Sequence, residues 1–184
     1  MTYNGEFMKT IPITKQEDIP QKYKNTPIEE LLLYHNLKTP FKKYDSAQVL
    51  VGMCMDNRKQ LNIPENFAYI IRTGGGNLRY VEFNISYVIA VGKVKYIMLL
   101  SHNHCGMVNL ASKKEIFVNG LVENANWDKE RAEEHFMNFA PMFELDNEKQ
   151  FVIDEAARLG KKYEGIIVVP AHYDIDDHKI YLLE

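Results

Sequence analysis

The chain has 184 residues, of which 46% are hydrophobic, and this is enough apolar material to predict one domain with its own core. Its formal net charge of -3 offers no basic surface, so we expect no nucleic-acid partner. No apolar stretch approaches the roughly 20 residues that span a bilayer, and no secretory leader opens the sequence. We therefore expect no membrane partner and a cytoplasmic location.

The N-terminal part of the chain is predicted to be an extended arm followed by a helix. Residues 1–25 are polar and contain prolines at positions 12 and 20. Thr26 is the predicted helix cap, Pro27 occupies the first helical position and Glu29 completes a capping box. An apolar helix on a polar arm suggests packing across another surface, such as a second subunit. The apolar residues of this helix are Leu31, Leu32, Leu33 and Tyr34.

The central part of the chain predicts a buried parallel sheet. Two short apolar runs, at 48–53 and 95–100, are typical of strands that are covered on both faces. Between them, residues 68–72 predict another strand, three glycines at 74–76 end that strand, and residues 78–91 predict a helix.

The last part of the chain predicts three helices and two strands. Ser112 and Glu115 form a second capping box, which predicts a helix over 113–122. A short hairpin turn before the final strand predicts that this strand is antiparallel and lies at the sheet edge. The other predicted elements are helices over 128–139 and 147–161, a buried strand over 165–169 and the final strand over 179–183.

Together these elements predict an α/β fold. Its centre is a mostly parallel sheet of about four strands plus one antiparallel edge strand. Helices flank the sheet, and the N-terminal arm and helix precede it.

The only two cysteines of the chain lie close to a histidine, a carboxylate and a guanidinium. Cys54 precedes Asp56 and Arg58, while His102 and Cys105 follow a later apolar run. Because the carboxyl ends of parallel strands meet at one edge of such a sheet, we expect the two groups to meet. Two thiolates and one imidazole suit zinc and leave a fourth position for water or for Asp56. A disulfide is less favoured, because a reducing compartment and the neighbouring His102 and Asp56 favour metal binding. A redox dithiol is also less favoured, because there is no Cys-x-x-Cys.

These residues give the chain a resemblance to the β-class carbonic anhydrases. The family motifs Cys-x-Asp-x-Arg and His-x-x-Cys-Gly are complete at 54–58 and 102–106. The similarity continues through 69–72, 85–87 and 92–97. The resemblance implies one zinc ion per subunit, reversible hydration of CO2 to bicarbonate and a proton, and a homodimer or larger homo-oligomer.

The resemblance also implies a single domain over 1–184. Its parts are an N-terminal arm and helix at 1–45, a metal-site core at 46–112, a helical segment at 113–163 and terminal strands at 164–184. One loop departs from the family, because Thr73 and Gly74 stand where the family has Asn and Ala.

Asp56 and Arg58 are the predicted catalytic residues. Their spacing allows a bidentate contact that holds the carboxylate off the metal, where it can orient the attacking water. If the contact breaks, Asp56 can become the fourth ligand and switch the site off, and the family contains both states. The alternative is a surface ion pair that contributes little.

Five further residues receive minor roles. His104 is a candidate for proton transfer, or else a solvated loop histidine. Arg72 matches a family arginine on the bicarbonate side of the site, and its alternative role is a strand-end salt bridge. The glycines Gly74, Gly75 and Gly106 are assigned to substrate binding, and the first two have the alternative of a tight turn.

The predicted activity is zinc-dependent CO2 hydration. Two thiolates cancel the charge of zinc, so activity is expected to climb through the alkaline range. One alternative is hydrolysis of carbon disulfide or carbonyl sulfide at the same site. The other is a non-catalytic zinc protein in which Asp56 stays permanently on the metal.

Overall fold

The computed structural model describes residues 9–184, so the first eight residues of the predicted arm lie outside it. The described chain forms one mixed sheet of six strands. The strands are β1 (Thr10–Ile11), β2 (Val49–Cys54), β3 (Ala68–Thr73), β4 (Tyr96–His102), β5 (Ile167–Asp174) and β6 (Lys179–Leu183). Their order across the sheet is β1-β6-β5-β4-β2-β3.

The predicted fold class is confirmed, with one difference at the sheet edge. β2, β3, β4 and β5 run parallel, and β6 runs antiparallel to β5. However, β6 is not the edge strand, because β1 pairs with its outer side and places Thr10 opposite Leu183. A strand of two residues has no hydrophobic period, so the sequence pattern could not reveal it.

Five α-helices accompany the sheet. They are α1 (Pro27–Leu37), α2 (Glu82–Ala90), α3 (Lys114–Ala125), α4 (Lys129–Phe139) and α5 (Glu148–Lys162). α1 begins as predicted, since the Thr26 hydroxyl accepts a hydrogen bond from the Ile28 N–H. Its capping box is incomplete, because Glu29 accepts from the Asn25 N–H instead of the Thr26 N–H.

The capping box predicted before α3 is wrong. The Ser112 hydroxyl donates to the Asn109 carbonyl at 2.7 Å and does not cap the helix. A 3-10 turn over Leu110–Lys113 intervenes, so α3 starts at Lys114. The Ser-x-x-Glu pattern did not distinguish these two conformations.

Alternate residues of the central strands bury opposite faces of the sheet. Val49 and Val51 belong to the core beneath α1, whereas Leu50 belongs to the core beneath α2 and α5. Ile13, from the predicted arm, and Leu31, from α1, are buried in the first of these cores. The arm beyond residue 8 and the buried side of α1 therefore pack on their own chain, while packing across a second subunit stays a prediction.

This topology determines where the predicted ligands lie. β2 and β4 are parallel neighbours, and Cys54 and His102 are their last residues.

Among the helices of residues 9–184, none combines the length and the apolar character needed to cross a membrane.

Candidate metal centre

The carboxyl ends of β2 and β4 bring together the three residues predicted to bind zinc. Cys54 and His102 end adjacent parallel strands, and Cys105 follows His102 through a short turn. One ligand atom from each residue lies within 4.8 Å of the other two. All three residues are buried. Two sulfurs and one ring nitrogen therefore form a compact donor set in the interior.

The ring of His102 is oriented for a ligand. Its Nδ1 lies 2.8 Å from the Asn103 carbonyl oxygen, which can only accept, so Nδ1 carries the proton and Nε2 is left with a lone pair. Nε2 is buried and has no hydrogen-bond partner. A buried acceptor without a partner is costly, and coordination to a metal ion would satisfy it. The residues present therefore fit a zinc ion.

The two thiols are hydrogen-bonded to each other, and this contact shifts their pKa values in opposite directions. A hydrogen bond from Cys105 lowers the pKa of Cys54, and burial opposes the effect. The same hydrogen bond raises the pKa of Cys105, and burial adds to that increase. The first thiol proton therefore leaves readily, while the second is retained until a cation competes for the sulfur.

Asp56 and Arg58 form the predicted bidentate contact. Arg58 Nη2 lies 2.6 Å from Asp56 Oδ2, and Arg58 Nε lies 3.0 Å from Oδ1. The Arg58 backbone N–H also donates to Oδ1. These hydrogen bonds hold the pKa of Asp56 well below its usual range. The Asp56 carboxylate is not part of the group of donor atoms within 4.8 Å of one another.

Arg58 also joins the two halves of the site. Its Nη2 donates to the His104 carbonyl at 3.0 Å, which connects the loop after β2 with the loop after β4. The His104 side chain is exposed, and its Nε2 lies 3.9 Å from Asp176 Oδ2. His104 therefore stands at the border between the centre and solvent.

Arg72 supports the loop that carries the first ligand. Its guanidinium donates to the backbone carbonyls of Cys54, Asp56 and Lys59, at 3.5, 3.2 and 2.9 Å. Within residues 9–184, no carboxylate forms an ion pair with Arg72, so the strand-end salt bridge is not formed. Arg72 therefore fixes the backbone of the loop after β2.

The glycines after β3 form a tight 3-10 turn over Gly74–Gly76. Gly75 has φ +63°, and a Cβ there would lie 2.8 Å from a Leu145 methyl carbon. The turn therefore requires glycine for both its conformation and its packing. By contrast, a Cβ on Gly106 would meet nothing within 4 Å, so its backbone lies beside open space.

An apolar pocket of about 240 Å³ lies beside the centre. Three of its residues, Met55, Gly74 and Met107, come from the loops that follow the site strands. Met107 also packs against the cluster that contains Cys54 and Cys105. The rest of the lining is Leu110, from the 3-10 turn before α3, and six residues of the helical segment: Phe117, His135, Phe136, Phe139, Ala140 and Phe143. Sequence patterns did not reveal this pocket, because residues far apart in the chain form it.

Lys59 is another residue that the sequence analysis missed. It follows the predicted catalytic pair and is completely buried. A lysine in a loop is usually exposed, so no signal in the sequence marked it.

No protein-family model and no curated protein matches the chain. Among solved structures, a carbonic anhydrase from Streptococcus mutans aligns with a TM-score of 0.56 at 19% identity, covering 88% of this chain and 98% of that one. A β-carbonic anhydrase from Trichomonas vaginalis gives 0.58 at 15% identity, with 88% and 96% covered. An apo carbon disulfide hydrolase gives 0.52 at 16% identity, with 83% and 84% covered. The resemblance seen in the sequence is confirmed at the level of the fold: the chain has the fold of the β-carbonic anhydrases.

Proposed function

We propose that the protein is a zinc lyase that reversibly hydrates CO2 to bicarbonate and a proton. The observation that carries this proposal is the buried group of Cys54, His102 and Cys105, in which Nε2 of the histidine has no partner. One zinc ion per subunit would bind to these three side chains. When bound, it would supply a Lewis acid that makes water nucleophilic.

Asp56 and Arg58 are the proposed catalytic residues of the chain. Arg58 keeps Asp56 ionised and fixed, so the carboxylate is an acceptor only. An acceptor at this position orients the attacking water by accepting a hydrogen bond from it. The same contact keeps Asp56 from occupying the position that water needs.

Proton release and substrate approach are assigned to residues at the edge of the site. His104 is exposed and can accept the proton and pass it to buffer. Gly74 lines the apolar pocket and Gly106 borders open space, which supports their assignment to substrate binding. Arg72 and Gly75 are assigned an indirect role there, since their contacts shape the loop and the turn.

The test is stopped-flow CO2 hydration by zinc-loaded protein over a range of pH. We expect turnover that increases into the alkaline range, because two thiolates neutralise the metal. Chelation should abolish the activity, and added zinc should restore it. Zinc-loaded protein without CO2 turnover at any pH would refute the proposal.

Hydrolysis of carbon disulfide or carbonyl sulfide is the second candidate. The pocket beside the centre supports it, because His135 is the only polar side chain in its lining. An apolar lining favours an uncharged, weakly hydrated substrate. A carbon disulfide hydrolase also shares this fold. Turnover of CO2, carbonyl sulfide and carbon disulfide by one zinc-loaded preparation separates the two candidates.

A non-catalytic zinc protein is the third candidate, and it requires Asp56 on the metal. The contacts of Arg58 with Asp56 argue against it, because they hold the carboxylate outside the group of donor atoms formed by the two cysteines and the histidine. X-ray absorption of zinc-loaded protein would count the ligands. Asp56 in the fourth position at every pH would favour this candidate.

We further infer a homo-oligomer in the cytoplasm. β3 is the outer strand of the sheet and exposes Tyr69 and Ile70, while the neighbouring α2 exposes Phe83. An open strand edge beside an apolar helix face suits a self-complementary contact with a second copy. The two buried free thiols suit a reducing compartment. Sedimentation equilibrium of wild type and Phe83→Glu tests the assembly, and a monomeric wild type would refute it.

A further inference from the structure

Lys59 is a buried cation without a carboxylate partner. Its side chain is among the largest that are completely buried in the described chain. Its Nζ has one hydrogen-bond acceptor, the Asp56 carbonyl oxygen, at 3.4 Å. Within residues 9–184, no carboxylate lies within 4.0 Å of this ammonium. Such a group is costly to bury unless nearby negative charge compensates it.

The negative charge near Lys59 belongs to the metal centre. Burial lowers the pKa of Lys59 and the Arg72 guanidinium lowers it further, while Cys54, Asp56 and Cys105 raise it. Asp56 is already neutralised by the guanidinium of Arg58. The negative charge that can still compensate the Lys59 ammonium is therefore that of the two sulfurs and of whatever they bind.

A charge count shows which state of the centre Lys59 favours. A divalent ion with two thiolates and a neutral imidazole carries no net charge. When an anion joins the metal, however, the site becomes negative by one unit, and the buried ammonium is attracted to it.

We propose that Lys59 is a positioning residue that selects for anions in the fourth position of the metal centre. This rests on the proposed function, since it requires the metal site. The ammonium acts through space, and it offsets the single negative charge that an anionic ligand brings. Because the ammonium repels an incoming cation and attracts an anion, it should strengthen anion binding without strengthening metal binding.

The test uses cobalt-loaded full-length protein, whose visible spectrum reports ligand exchange at the metal. Azide is titrated into wild type, Lys59→Met and Lys59→Gln, and the metal affinity of each is measured by chelator competition. Methionine keeps most of the length of the side chain without its charge. Glutamine also keeps an N–H donor for the Asp56 carbonyl, and it carries the test if Lys59→Met fails to fold.

We expect the azide Kd to increase at least about tenfold in both variants, with the metal Kd unchanged or decreased. Lys42→Met is the matched control, because it removes an exposed lysine with the same change of net charge. That control should bind azide like wild type.

Two results would overturn the inference alone. Unchanged azide affinity in the variants would show that Lys59 does not act on the anion. An equal loss of metal and azide affinity would show a merely structural role. A wild-type protein that binds neither cobalt nor zinc would overturn this inference and the proposed function together.

Discussion

Two regions of the molecule bury charge in opposite ways. On the α2 and α5 side of the sheet, Glu155 is completely buried and receives hydrogen bonds from Arg79 at 3.0 Å and from Arg158 at 2.9 and 2.6 Å. At the carboxyl ends of β2 and β4, the His102 Nε2 has no partner and Lys59 has one long hydrogen bond. The first region satisfies its buried charge within the protein, whereas the second leaves a buried acceptor without a partner and a buried ammonium with one weak partner. Buried charge therefore stabilises the fold in one place and prepares a site in the other.

The largest effect should come from removing a proposed metal ligand. Cys54→Ser or His102→Ala should lower CO2 hydration by about 10³-fold or more, because a Lewis acid supplies several kcal/mol of transition-state stabilisation. The fold should survive, since neither Cys54 nor His102 belongs to the two large hydrophobic cores. Zinc content and circular dichroism measured together check this. A variant with full activity and no zinc would remove the metal from the mechanism.

Breaking the region around Glu155, whose buried charge is fully paired, should instead destabilise the fold. Glu155→Ala leaves two guanidiniums without their shared carboxylate, and the loss of one partner in a buried ion pair costs about 3 kcal/mol or more. Urea unfolding measures the change, and activity per folded molecule should stay the same. Glu133→Ala is a suitable control, because Glu133 forms a long, partly exposed ion pair with Lys114. Similar stability in the two variants would show that the Glu155 network is dispensable.

His35, a buried histidine whose two ring nitrogens both have hydrogen-bond partners, predicts how the stability of the fold depends on pH. His35 Nε2 donates to the His178 carbonyl at 3.0 Å, and its Nδ1 accepts from the Asn62 N–H at 3.1 Å, so the neutral ring is the one that fits. Burial lowers the pKa of His35 to about 4, and that of His172 also to about 4. The unfolded chain binds these protons first, so stability should fall as pH decreases from about 6.5 towards 4.

The expected contribution of His35 is at most about 3 kcal/mol, from a pKa difference worth 1.36 kcal/mol per unit. Denaturant titrations at several pH values should show the loss in wild type. His35→Gln should show a smaller pH dependence, with the remainder attributed to His172. An equally steep dependence in that variant would exclude His35 as its source.

At the incomplete region, Asp56→Asn separates catalysis from metal binding. The amide can still contact water, but it has no second acceptor oxygen, so we expect about a 10²-fold decrease in kcat with zinc retained. Asp45→Asn is a control outside the site. If Asp56→Asn keeps wild-type turnover, the carboxylate does not orient the water, and the catalytic assignment of Asp56 and Arg58 fails.

The difference between the two regions also explains what the sequence could and could not predict. The trio at 54, 102 and 105 was predictable, because apolar strands end immediately at two of these residues and parallel strands share an edge. The burial of Lys59 was not predictable, since it depends on how the loop after β2 folds back beneath Arg72. β1 was missed because it exists only through pairing with β6. Local periodicity therefore finds elements and ligands, while the surroundings of a site depend on tertiary packing.

The smallest expected effect concerns the border between the incomplete region and solvent. His104 is exposed and lies 3.9 Å from Asp176, so it can exchange protons with buffer. If proton release limits turnover, His104→Ala should lower kcat by about threefold to tenfold at low buffer concentration and leave kcat/KM unchanged. Added imidazole should restore the rate, because a mobile base replaces the side chain. His178→Ala is the histidine control. A rate that does not depend on buffer in wild type or in His104→Ala would mean that protons leave the centre by a route that does not include His104. That route would have to pass through the buried side of the site.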